Sequence, residues 1–265
     1  MLGLFDSGIG GLTVVKELLR RAPNVSFLYL GDKARAPYGN KTEETIERYA
    51  IEDVSFLVEK GATEIIIACN TASSLALDHL KEVFPHVRFF DVISPAIEAT
   101  SKLGKKKIGV IGTRATIESG VYAQRLKEKG FDVYSAACPL FVYLVEEGWI
   151  NKPETQRIAR TYLATLKQKQ IDTLILACTH YPLMQKVIKQ SLQKRVKIID
   201  SPSALFESIE RDAPELLKPE SQVTQEFYFT EASPQTDALA SRWLNRPVKG
   251  LLATLNELPT NSSRC

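Results

Sequence analysis

Cys69 and Cys178 are the two residues of this 265-residue chain best placed to do chemistry together. Cys69 follows the apolar run Ile65–Ala68, and Cys178 follows Leu174–Ala177. Each is therefore expected just past the C-terminal end of a buried strand, where open parallel sheets bind their ligands. Residues that can open a helix come next, Asn70-Thr71-Ala72-Ser73 in one case and Thr179-His180-Tyr181-Pro182 in the other. Free backbone N–H groups and the positive end of a helix dipole at such places can hold a carboxylate and lower a thiol's pKa. A thiol ordinarily titrates near about 8.5, so modest tuning lets it act as proton donor or acceptor. A lone cysteine is more often a small buried hydrophobe. Cys138, which precedes Pro139 without a polar helix-opening pair, is read that way.

Other polar segments fall at matching strand ends. Asp6-Ser7-Gly8-Ile9-Gly10-Gly11 follows the first apolar run and precedes a helix. Its glycines let main chain approach a ligand closely. It has neither the Gly-Lys-Ser/Thr of a phosphate loop nor the spacing of a dinucleotide loop, so a small anion such as a carboxylate fits better. Gly31-Asp32 and Pro37-Tyr38-Gly39 end the second run and its loop, and Thr113 and Thr116 occupy the corresponding edge further along. All point to one cleft if two domains face each other.

The elements that must position these residues alternate. Strands are expected at Leu2–Phe5, Phe27–Leu30, Glu64–Ala68, Val87–Val92, Lys107–Ile111, Asp132–Ala136, Thr173–Ala177 and Val196–Ile199, mostly as apolar runs buried on both faces. A helix from about Thr42 to Lys60 carries the stripe Ile46, Ala50, Val54, Leu57 and Val58, and another from Pro153 is expected to bury Ile158, Tyr162 and Leu166. Glu64-Ile-Ile-Ile-Ala-Cys-Asn-Thr71 resembles Thr173-Leu-Ile-Leu-Ala-Cys-Thr-His180, with the cysteines 109 residues apart. Gly3–Ser7 and Gly109–Thr113 match at nearly the same offset, as do Phe27–Leu30 and Val133–Ala136. The pattern predicts an α/β fold of two pseudo-symmetric domains, each a parallel sheet flanked by helices, with the active site in the cleft between them. The first domain is expected to span residues 1–92 and the second 93–200. The segment 201–265, with Leu205–Ile209, a strand-like Glu226–Thr230 and a helix around Leu239–Leu244, is expected to return to the first domain. Its end, Glu257–Cys265, reads as frayed.

Composition excludes several classes. A net charge of +3, from 34 basic and 31 acidic residues, calls for neither nucleic acid nor an acidic membrane as partner. No run approaches the roughly 18 apolar residues of a membrane helix, and the start of the chain reads as a strand rather than a targeting segment. A cytoplasmic protein is expected. Four cysteines without a CxxC pair, and three histidines, predict free thiols and no metal site. Cys265, the last residue of the sequence, lacks the residues that a prenylation signal requires.

Four motifs in this order resemble the glutamate racemase family, the cofactor-independent enzymes of bacterial cell-wall synthesis. They are Phe5–Gly11, Pro37–Gly39, Ala68–Ala72 and Cys178–Leu183, and the likeness runs over nearly the whole chain. Lys33 stands where the family usually has threonine, and Pro202 where glycine is common. The resemblance implies racemisation of L- and D-glutamate without cofactor, supplying D-glutamate for peptidoglycan. It implies one cysteine on each side of Cα, Cys69 serving D-glutamate and Cys178 L-glutamate. Asp6 would assist Cys69, and His180 and Glu146 would assist Cys178. Ser7, Tyr38, Gly39, Asn70, Thr71 and Thr179, with Asp6 and His180, would bind the amino acid, and Thr113 and Thr116 follow as further contacts. Aspartate as substrate, or a reversible Cys69–Cys178 disulfide, are the rival readings. A homodimer is compatible with the family. Some members inhibit DNA gyrase, a partner that the near-neutral composition neither supports nor refutes.

Overall fold

The computed structural model describes residues 1–192 and 195–256; the end of the chain, 257–265, lies outside the described residues, and with it Cys265 and the expected fraying. Ten strands form two sheets: β1 Leu2–Asp6, β2 Phe27–Gly31, β3 Glu64–Ile67, β4 Arg88–Asp91, β5 Lys107–Gly112, β6 Asp132–Ala137, β7 Thr173–Ala177, β8 Lys197–Asp200, β9 Gln225–Phe229 and β10 Leu251–Leu252. The first sheet has the order β10-β9-β2-β1-β3-β4 and the second β6-β5-β7-β8. All pairings are parallel. The order β2-β1-β3-β4 recurs as β6-β5-β7-β8, which is the duplication read from the sequence made visible as topology.

Central strands β1, β2 and β7 are buried along their whole length. The expectation of burial on both faces fails at β4, β6 and β8, which are edge strands with exposed or half-buried positions. Side-chain alternation then divides the core into three layers. One lies between the sheets and takes Leu4, Tyr29, Ile66, Leu174, Leu176 and Cys178. A second lies under the helix Glu43–Glu59 and takes Phe5, Leu28, Leu30, Ile65, Ile67 and Cys69. The third covers the other face of the second sheet with Ile108, Val110, Ile175 and Tyr122.

Helix boundaries follow local chemistry. Thr42 caps Glu43–Glu59 by accepting from the Thr45 N–H, with Glu43 and Glu44 in the first turn. The helix Pro153–Gln168 buries Thr155, Ala159, Leu163 and Leu166, whereas the expected Ile158 and Tyr162 are only half buried. The helix packs on Gln185–Ser191, and the Thr155 hydroxyl reaches the Trp149 carbonyl at 2.7 Å; Leu166 is buried as expected.

Past residue 200 the chain does three things. Leu205–Ile209 lies in a helix, Ser201–Asp212, whose N-terminus is capped by Asp200 accepting from the Ser203 N–H at 3.0 Å. That helix packs on both Ile93–Ser101 and Leu12–Arg21. Strand β9 joins β2, and the helix Pro234–Leu244 packs on Leu12–Arg21. The two departures from the family pattern are accommodated locally: Lys33 pairs with Glu231 at 3.2 Å, and Pro202 sits in the first turn of its helix, where a missing N–H costs nothing. Among the described residues, no helix is long and apolar enough to cross a membrane.

Candidate active site

Strand β3 ends at Ile67, and Cys69 caps the short helix Asn70–Leu75. Its Sγ accepts from the Ala72 N–H at 3.5 Å, and the Ser7 hydroxyl and N–H also turn toward it. The sequence reading expected this setting to lower the thiol's pKa. Instead burial pushes the Cys69 thiol up to about 12, helped by the neighbouring Asp6 charge and only partly offset by the N–H groups. Asp6, at the end of β1, is fully buried. Its Oδ2 accepts from the Gly11 N–H at 2.9 Å and its Oδ1 from the Thr179 hydroxyl at 3.3 Å. Burial raises its pKa against the opposing pull of His180 and these donors. Gly11 is required here, since a Cβ would come within 2.5 Å of the Asp6 Cβ.

Cys178 follows β7 into a different turn. No α-helix starts at its loop; a 3-10 turn Tyr181–Met184 intervenes before the helix Gln185–Ser191, so the expected helix-opening geometry is absent at this thiol. Its Sγ lies 3.9 Å from His180 Nδ1, and His180 Nε2 lies 2.9 Å from Glu146 Oε1. Glu146 closes the helix Leu140–Glu146. Burial works against a charge on His180, but Cys178 and Glu146 outweigh it and raise the imidazole to about 10. His180 therefore carries its proton at neutral pH.

Both thiols line one narrow pocket of about 20 Å³ between the sheets. Ser7, Gly39, Asn70 and Thr71 line it from the first-sheet side, and Thr113, Glu146, Thr179 and His180 from the second. Among the described residues no lysine or arginine lines it; its polar wall is made of hydroxyls, the Asn70 amide, His180 and Glu146. Asn70 Oδ1 accepts from the Tyr122 hydroxyl at 2.8 Å, while Asn70 Nδ2 is buried without a partner among the described residues. An orphan donor at a pocket wall is matched by a ligand acceptor. Thr71, Thr113 and Thr116 join their hydroxyls in a triangle with edges of 2.9, 2.9 and 3.1 Å.

Three residues expected to touch substrate sit elsewhere. Asp6 lies behind the lining and Thr116 beneath Thr113. The Tyr38 side chain is fully buried and hydrogen-bonded to Asp32 and Asp53, which leaves only main chain at that position for a ligand. Pro37 lies in the wall, as its loop was expected to, whereas the sequence reading missed Ala36 and Val142, whose apolar types carry no chemical signal. It also missed Trp243, set edge-on to His180 at 5.9 Å. Two glycines permit the halves to meet. A Cβ on Gly10 would fall within 2.5 Å of the His180 ring, and one on Gly39 within 2.7 Å of Thr113 Cγ2. Cys69, Cys138 and Cys178 are free thiols in this structure.

Comparison with known proteins agrees with this geometry. The Asp/Glu/hydantoin racemase family model matches residues 10–209. A glutamate racemase of Aquifex pyrophilus is 47% identical over 251 residues, covering 94% of this chain and 96% of that protein. Among solved structures, a glutamate racemase isoform of Bacillus anthracis superposes with a TM-score of 0.90 at 35% identity, covering 96% of this chain and 97% of that one. A glutamate racemase of Francisella tularensis, solved in complex with D-glutamate, gives 0.87 at 35% identity over 97% and 98% of the two chains. By this match and these relatives, over a fold with the same duplication, this chain belongs to the Asp/Glu/hydantoin racemase family.

Proposed function

We propose that this protein racemises glutamate by a two-base mechanism, without cofactor, in the cytoplasm, supplying D-glutamate for peptidoglycan. The observation that carries the reading is that Cys69 and Cys178, which follow strands of different sheets, line one pocket, each with its own proton-handling neighbours. Racemisation breaks the Cα–H bond on one face and forms a new one on the other. One sulfur takes the proton as a thiolate, and the opposite thiol donates its own to the carbanion. The two sulfurs end with their protonation states exchanged.

Cys69, held up to about 12, starts as the donor. At Cys178, the His180 cation stands 3.9 Å from a sulfur that must be anionic to take a proton. This pairing suits removal of the proton from L-glutamate by Cys178, and the reverse reaction begins with Cys69 on D-glutamate. Asp6 and the His180–Glu146 pair are the tuning groups. The Asn70 amide, the hydroxyls of Ser7, Thr71, Thr113 and Thr179, and the main chain at Tyr38 and Gly39 hold the charged ends of the amino acid. Donors fixed in a dry pocket stabilise developing charge better than water does. Residues 1–92 with 201–265, and 93–200, are the two domains proposed to carry the halves of the site.

The test is exchange of the Cα proton of L- and D-glutamate in heavy water, without added cofactor, followed in parallel by circular dichroism with glutamate and aspartate. Exchange and inversion of glutamate are expected. Inversion of aspartate alone would replace the substrate, and no exchange with either would end the reading.

A further inference from the structure

Behind the wall formed by Ala36, Pro37 and Gly39, three acidic side chains meet. Asp32 follows β2, and Glu52 and Asp53 lie on Glu43–Glu59. Their hydrogen bonds converge on Arg35: Nε to Asp32 Oδ2 at 2.6 Å, Nη2 to Asp53 Oδ1 at 3.2 Å, and Nη1 to Glu52 Oε2. Asp32 and Asp53 are fully buried. Three carboxylates around one guanidinium would leave two uncompensated charges in the interior, a cost of several kcal/mol or more, of the order found for unpaired buried ions.

The Tyr38 hydroxyl touches both Asp32 Oδ2 and Asp53 Oδ2, the latter at 2.8 Å. A phenol has one proton and can donate to one carboxylate. The second oxygen–oxygen contact needs a proton of its own. Tyr38 cannot supply it by ionising differently, because burial and the two acids hold its pKa well above the ordinary value. Asp32 accepts from Arg35 Nε and from the Thr230 hydroxyl at 2.8 Å, as an anion does. Besides Tyr38, Asp53 has among the described residues only the longer Arg35 contact.

We propose that Asp53 is a neutral carboxylic acid donating its proton to Tyr38 Oη, and that the relay from Asp53 through Tyr38 to Asp32 is a positioning device for the Ala36–Gly39 wall of the pocket. Burial and the Asp32 charge push the Asp53 carboxyl well up, more than Arg35 pulls it down, which agrees with the proton count. Neutral acids are retained in proteins for this purpose, to donate where a carboxylate could only accept. The relay ties the loop after β2 to the helix Glu43–Glu59, while Gly39 presses on Thr113 across the junction. A displaced wall would reach the thiols through that contact.

Infrared difference spectra of wild type against Asp53→Asn at neutral pH test the protonation directly. A carboxylic acid carbonyl band that shifts in heavy water and is lost in the variant is expected; no such band overturns the proposal. A kinetic arm tests the positioning and rests on the racemase reading. Asp53→Asn keeps an N–H donor for Tyr38 and should hold KM for glutamate within about twofold. Asp53→Ala and Tyr38→Phe should raise KM about tenfold or more with kcat less affected, the scale of a misplaced binding wall. Asp53→Asn as damaging as Asp53→Ala, or an unchanged KM in Tyr38→Phe, overturns it. Should Asp53→Ala not fold, Tyr38→Phe decides. Should glutamate not be the substrate, the infrared arm still stands.

Discussion

The loop after β3 and the loop after β7 begin from the same plan, an apolar parallel strand ending in Ala-Cys, and arrive at different environments. Cys69 caps a helix and sits among N–H groups and a buried acid, Asp6. Cys178 enters a 3-10 turn and stands against the His180 imidazole, itself backed by Glu146. Duplication explains why two thiols face one pocket. Divergence after the duplication gives them different neighbours: burial beside Asp6 pushes the Cys69 thiol up, while Cys178 stands against the His180 imidazole. A mirror-symmetric reaction, with an equilibrium constant of unity, is thus proposed to run on an asymmetric pair of acids and bases.

The largest effects should come from removing one member of the pair. Cys69→Ala or Cys178→Ala is expected to lower racemisation by roughly 10³–10⁴-fold, the span of general acid–base catalysis. Cα exchange should survive only for the enantiomer facing the remaining thiol. Full racemisation in Cys69→Ala would refute the pairing.

The tuning groups come next. Because the equilibrium constant is unity, kcat/KM must change equally in both directions, so asymmetry has to be sought in isotope effects. His180→Asn should cost about 10²-fold. It should raise the primary isotope effect with Cα-deuterated L-glutamate relative to the D-enantiomer, and Asp6→Asn should do the opposite. Equal isotope effects in both variants would mean that the two halves are not differently tuned.

A smaller effect should come from Gly10→Ala, which forces a methyl from the first half against Thr179 and His180 of the second. Overpacking of this kind costs about 1–3 kcal/mol. Thermal unfolding should show that loss, and activity should fall with it. An unchanged midpoint would show that the halves are not tightly joined there.

A further expected effect is on stability against pH. His180 has its pKa raised from 6.5 to about 10 in the folded protein. The favourable contribution of its charge is fully present below pH 6.5 and is lost as the pH rises through about 10. Urea denaturation of wild type and His180→Asn should therefore differ most below pH 6.5 and converge in alkali. A difference that grows with pH would reverse the assignment.

Much of the fold could be read in advance because parallel strands buried on both faces leave long apolar runs. Thr173–Ala177 is observed with the bounds expected. Strand β10, only two residues long and exposed, leaves no such run. The helix from Pro153 starts where expected and buries Leu166, but hydropathy favours Ile158 and Tyr162 where the fold buries Thr155, Ala159 and Leu163. At the site, His180 is two residues from Cys178, so their contact is nearly local. Tyr38 was misplaced because its partners, Asp32 and Asp53, come from separate elements and make a motif residue into a buried anchor.

The sequence alone determined that Cys69 and Cys178 end equivalent strands, because strand ends are set by local runs and the repeat is visible as an offset of 109 residues. Tertiary structure decided what each thiol became. Helix-opening N–H groups argued for a lowered pKa at Cys69, and burial beside Asp6 overrode them. Desolvation and charge act through space over a few ångströms, and the groups that carry them here, Asp6 beside Cys69 and Glu146 beside His180, come from elements distant in sequence that only folding brings close.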